Sequence, residues 1–305
     1  MLQARLVPST CSTVRLLACL VGLLGNAGLV VSTSMGQDTP LRLILLDNED
    51  WQEVSRGHQF TEGPAADKDG NVYFSDVPAS KILRIDARTG KVDLFAENTA
   101  KTNGLMFGPD GRLFGCRNGD RKIVAYRQDG SFETIASGVN SNDLVVTSRG
   151  EVYFTDPPNK QVWYIDADGG KRVVADGFQP NGIIMWQDEG TLVITDSNHP
   201  HLWTYRVEVD GSLRFAEKYY HPVVVPPGAK RPGSDGMTVD SKGRLFLASL
   251  AGLQMFDSTG RPSGVIRKPQ SRFLSNVTFG GPKFDTLYVT CQDKVYKRKT
   301  KSTGK

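Results

Sequence analysis

Six oxygen-bearing residues recur along the chain in one register: Glu62, Asn103, Asn142, Asn181, Asp235 and Asn276. Successive members lie 41, 39, 39, 54 and 41 residues apart. Each stands just before an apolar stretch, as in Glu62-Gly63-Pro64, Asn103-Gly104-Leu105 and Asp235-Gly236-Met237. A single Asn-Gly or Asp-Gly pair signals a turn and nothing more. Six in register, brought to one point, would be a hard-oxygen donor set of two carboxylates and four amides. Such a set suits one divalent cation. Ca²⁺ ranks first, because it takes roughly six to eight oxygen ligands with water completing the shell. Mg²⁺ and Mn²⁺ accept the same donors, whereas Zn²⁺ ordinarily takes nitrogen or sulfur. Two carboxylates held together away from water repel each other and lose hydration, and a cation between them offsets that cost.

Such residues meet only if a repeat brings them together. Alternating apolar strands ending in Ser/Thr-Asp recur at Val72-Tyr73-Phe74-Ser75-Asp76, Val152-Tyr153-Phe154-Thr155-Asp156 and Leu192-Val193-Ile194-Thr195-Asp196. Looser copies fall at 113–117, 245–249 and 287–291. Turn signals such as Asp69-Gly70 and Asp110-Gly111 precede them, and further strands with Gly turns follow. Period-two alternation between such turns predicts antiparallel strands. Four strands per unit of about 40 residues is the blade of a propeller. The expected fold is therefore all-β, a six-bladed β-propeller with four antiparallel strands per blade, over residues 37–298. A β-sandwich would not account for six copies in a shared register. In a propeller the first strand of each blade lines the central channel, so the six residues form a ring. Leu41 to Leu46 and Trp51 to Ser55 are expected to add strands to the last blade and close the circle.

The remaining candidates lie near that ring. The second strands end at Asp76, Arg117, Asp156, Asp196, Ser249 and Cys291. Arg117 would either grip a substrate or pair with Asp76 or Asp156. His199 belongs to a loop expected to rim the channel mouth and touch substrate; no neighbouring ligands support a zinc site. The long step before Asp235 places a Pro-rich insertion near Tyr219 to Gly233, which reads as a lid. The basic tail, 299–305, reads as solvated and frayed.

Residues 1–36 carry Arg5 and Arg15 ahead of an apolar run from Leu16 to Val31, then small polar residues. This reads as a cleaved secretory signal, so the protein is expected to be exported, periplasmic or secreted. The run is interrupted by Gly22, Gly25 and Gly28, so no stable membrane span is expected. The net charge of +4 falls to +2 without the two arginines, which gives no case for nucleic acid. Cys116 and Cys291 fall in non-neighbouring blades, and no disulfide is expected.

Glu62-Gly63-Pro64, Asn142-Asp143, Pro180-Asn181-Gly182, Ser234-Asp235-Gly236 and the late Phe279-Gly280-Gly281-Pro282-Lys283-Phe284-Asp285-Thr286 run resemble the gluconolactonase / senescence-marker-protein (regucalcin) / luciferin-regenerating-enzyme family. The resemblance covers nearly all of residues 58–298. It implies a metal held by Glu62, Asn181 and Asp235, with Asn142 on the metal or on the substrate. It also implies Asp235 as general base. Asn103 and Asp143 would orient water or ligand. The pattern departs at Asn140, where the sugar-lactone enzymes tend to carry arginine. The expected activity is metal-dependent hydrolysis of a small lactone or ester, with the metal as Lewis acid. The alternatives are a phosphotriesterase-like hydrolase and a non-catalytic ligand-binding propeller.

Overall fold

In the computed structural model, which describes residues 39–304, short alternating strands fold into six four-stranded antiparallel sheets. The predicted export segment lies outside the described residues. The first blade runs Thr61–Ala66, Val72–Asp76, Lys81–Ile85 and Val92–Glu97, and the next four repeat this order. Asp67 shows how the hairpins turn: its carboxylate accepts from the Asp69 and Asn71 amides at 3.0 and 2.9 Å. Gly70 then takes a left-handed φ of 81° that other residues rarely adopt.

The sixth blade joins the two ends of the chain. Leu274–Gly280, Thr286–Cys291 and Lys294–Lys299 supply three strands, and Gln52–Arg56 pairs onto Lys294–Lys299 as the fourth. The inner strands touch their neighbours around the circle, and that of blade one also meets that of blade six. The expectation for Trp51 to Ser55 thus holds in substance. Leu41 to Leu46 does not form the strand expected of it. It makes a short 3-10 turn over Leu41–Leu43 and a single bridge from Leu45 to Thr300. Gln52–Arg56 already occupies the open edge, and Ile44 instead buries itself against Phe246 and Leu253 of blade five and Leu274 and Leu287 of blade six.

The apolar cores lie between blades. One seam joins Phe114, Cys116 and Ile123 of blade two to Leu144, Val146 and Phe154 of blade three. Cys116 and Cys291 are buried in separate seams and unpaired. The tail is not frayed. Gly304 N donates to the Phe284 carbonyl at 2.8 Å, and Ser241 N to the Thr303 carbonyl at 2.8 Å. Ser302, 2% exposed, bonds both members of the buried Asp240–Arg244 ion pair. Its polar backbone gains partners at the surface of blades five and six, which outweighs the freedom of a charged end. No helix among the described residues is long and apolar enough to cross a membrane.

Candidate active site

The six ring residues sit where strand pairing breaks. The ladder between first and second strands slips at Glu62/Ala65, Thr102/Leu105, Pro180/Ile183 and Leu274/Asn276. In blades three and five the inner strand begins only at Leu144 and Met237, beyond Asn142 and Asp235. Such irregularities re-aim side chains out of the alternating pattern. The glycines that follow serve close approach. A Cβ on Gly63 would run into the Asn103 carbonyl, and one on Gly182 into the Asp235 carbonyl. Their absence lets neighbouring ring residues crowd the axis.

Hydroxyl groups stitch the ring together. Ser75 Oγ donates to the Asn103 carbonyl at 2.9 Å, Thr155 Oγ1 to the Asn181 carbonyl at 2.6 Å, and Ser275 Oγ to the Thr61 carbonyl at 2.9 Å. Each bond ties one blade to the next and fixes the backbone at a ring residue or, for Thr61, just before one. None of these hydroxyls was predicted from sequence. A signal existed: Ser75 and Thr155 are the hydroxyl residues of the recurring Ser/Thr-Asp strand ends, and Ser275 stands directly before the ring residue Asn276.

Three carboxyl groups are buried at the axis: Glu62 at 6% exposure, Asp143 at 9% and Asp235 at 6%. Glu62 accepts from Gly63 N at 3.1 Å and Asp143 from Leu144 N at 2.9 Å. Asn276 Nδ2 lies 3.5 Å from the far oxygen of Asp143. Burial, with repulsion from Asp143, pushes Glu62 up to about 8. Burial raises Asp143 to about 7. Asp235 is raised well above its ordinary value by burial, then by the charges of Glu62 and Asp143. These mutual effects place the three groups within electrostatic reach of one another. No basic side chain among the described residues contributes to any of the three. The Asn181 side-chain oxygen is buried without a partner.

Buried acids without a counter-charge, beside an unpartnered amide oxygen, suit a hard, oxygen-seeking cation. Among the described residues no three His, Cys, Asp or Glu side chains form a ready metal cluster. Amide oxygens must therefore complete any cation shell. Asn103, Asn142 and Asn181 are half-buried on the same ring.

A cavity of about 430 Å³ follows the inner strands of all six blades, from Gly63, Leu105, Ile183 and Met237 down to Phe279 and Gly304. Asp143 and Asn276 reach its wall, whereas Glu62, Asn142, Asn181 and Asp235 do not. The ring therefore divides the axis, with the first pair turned toward this cavity.

The outlying candidates are placed differently. Arg117 is held in a fork by Asp120, at 3.2 and 3.0 Å, and its guanidinium lies 4.3 Å from the Phe132 ring centroid. It pairs with neither Asp76 nor Asp156. His199 Nδ1 lies 2.9 Å from Asp196 Oδ2, its side chain is 62% exposed, and its ring stacks on His201. Pairing of Pro180 with Asp196 puts this loop at the same end as Asn181. The Pro-rich insertion lies there too: Arg231 Nη1 donates to Asn198 at 3.3 Å, and Val224 N to Gln254 at 2.8 Å.

The model of the SMP-30/gluconolactonase/LRE-like region matches residues 60–293. The chain belongs to this family. A gluconolactonase of Zymomonas mobilis is 30% identical to this SMP-30/gluconolactonase/LRE-like chain over 292 residues, covering 81% of it and 80% of the relative. Lactonase drp35 of Staphylococcus haemolyticus is 29% identical, covering 72% and 73%. The solved gluconolactonase of Xanthomonas campestris superposes with a TM-score of 0.74 at 26% identity, covering 84% of this chain and 91% of that one.

Proposed function

We propose that this protein hydrolyses small lactones with the help of one divalent cation, Ca²⁺ in the first instance. Support comes from its family and its lactonase relatives. The observation that carries the reading is the crowding of Glu62, Asp143 and Asp235 at a buried axis without a basic partner. Glu62, Asn142, Asn181 and Asp235 would hold the cation. When bound, it supplies Lewis acidity toward a lactone carbonyl.

The chain's own groups do the rest. Asp235, buried at the axis, would take a proton from the attacking water. A water oxygen–carbon bond forms, the ring ester carbon–oxygen bond breaks, and the proton passes to the departing ring oxygen, leaving a hydroxy acid. Asn103 and Asn142 offer amide donors and acceptors to the hydroxyl groups of the substrate. The insertion at 219–233 and the His199 loop border the entrance and shape substrate choice.

The test is a panel of sugar and aliphatic lactones, with phosphotriesters alongside, assayed with and without chelator. Lactone hydrolysis that chelator abolishes and Ca²⁺ restores is the expected result. A folded, cation-loaded protein inert toward the panel overturns the reading in favour of a ligand-binding propeller.

A further inference from the structure

Glu62 and Asp235 open blades one and five, and blade six stands between them in the ring. The ring residue of blade six is Asn276, buried at 6% exposure. Three contacts fix its side chain. Its Oδ1 accepts from Val277 N at 2.8 Å, so the amide nitrogen faces the other way. That nitrogen points across the axis to Asp143 Oδ2, 3.5 Å distant. Its flat face packs on Gly236, the residue after Asp235, so closely that a Cβ there would overlap the amide. Gly236 N in turn donates to the Ser275 carbonyl at 2.8 Å. Asn276 also works against the burial that raises Glu62.

We propose that Asn276 is a positioning residue of this site: its amide donor orients Asp143, and its packing on Gly236 sets the backbone that carries Asp235. The inference rests on the proposed cation-assisted reading. It extends that reading to a side chain that would neither hold the cation nor touch substrate. An amide suits this place for a physical reason. A basic side chain would neutralise the carboxylates and compete with the cation. A carboxylate would add to the repulsion. A neutral donor steadies the acids and leaves their charge available.

Partners that orient ligand groups typically matter by roughly 10–100-fold in metal affinity or activity. Asn276→Ala removes both donor and bulk, whereas Asn276→Leu keeps bulk and removes the donor. Ca²⁺ affinity is measured by calorimetry on purified protein, kcat and KM on the best lactone, and Tm in chelator. Both variants are expected to weaken Ca²⁺ binding by about 10-fold or more and to lower kcat more than KM, while folding in chelator. A folded variant of either kind with wild-type Ca²⁺ affinity and kcat overturns the proposal. Should both fail to fold, Asn276→Ser, smaller and still polar, is judged by the same criteria; its failure to fold as well would make Asn276 a core residue and overturn the proposal. If wild type binds no Ca²⁺ and opens no lactone, the reading of the site fails first, which the wild-type measurements alone reveal.

Discussion

Asp143 Oδ2 and Asn276 Nδ2 lie 3.5 Å apart although 133 residues separate them in the chain. They belong to blades three and six, on opposite sides of the ring, so this contact spans the central channel. It sits where the cavity of the lower channel meets the buried acids. The pair therefore stands between this cavity and the other ring residues, and the His199 loop lies at the Asn181 end of its blade.

Asp235→Ala is expected to lower kcat for lactone hydrolysis by about 10²–10⁴-fold, the usual contribution of a general base. Steady-state assays at saturating Ca²⁺ check this. Retention of more than a tenth of the activity would assign the base elsewhere.

Glu62→Gln has opposite effects in two states. In chelator the substitution removes one of three mutually repelling buried acids, so Tm is expected to rise by a few degrees. With Ca²⁺ the variant is expected to lose most of the cation-induced stabilisation that wild type gains by mass action. Paired thermal melts with and without Ca²⁺ measure both signs.

The pH dependence of the cation-free protein follows from the raised acids. Glu62 moves from 4.5 to about 8, and Asp143 from 3.8 to about 7. Across that window the folded state binds more protons than the unfolded state, so these groups lose stability as pH rises. Urea midpoints in chelator are expected to fall from about pH 5 to pH 8. Ca²⁺ competes with the same protons, so its affinity is expected to rise over that range. A flat calorimetric profile would contradict the assignment of Glu62 to the cation.

Gly182→Ala tests the close approach of neighbouring ring residues. The added methyl meets the Asp235 carbonyl, and overpacking of this kind costs about 1–3 kcal/mol. Activity is expected to fall beyond the loss in stability, because the displaced backbone carries Asp235. Denaturant unfolding and kcat on the same preparation separate the two effects.

Truncation after Lys299 tests the docked tail. It removes Ser302 from the buried Asp240–Arg244 pair and frees the Phe284 carbonyl. Each buried polar group left without a partner costs about 1–3 kcal/mol. A lowered Tm is expected, whereas a frayed tail would leave it unchanged.

The amino-acid sequence by itself determined the number of blades, their strand pattern and the six-fold register of Glu62, Asn103, Asn142, Asn181, Asp235 and Asn276. Alternation and turn chemistry are local properties, and each blade encodes them within about 40 residues. The tertiary structure alone decided which of these side chains meet and what else touches them. Ring closure brings Asn276 to Asp143 and sets Ser75, Thr155 and Ser275 on the backbones of the next blades. The same packing ties Arg117 to Asp120 and docks Ser302 on Asp240 and Arg244. Such contacts depend on the final few ångströms of packing between distant segments. No spacing within one blade carries that information, because the axis exists only when all six blades are in place.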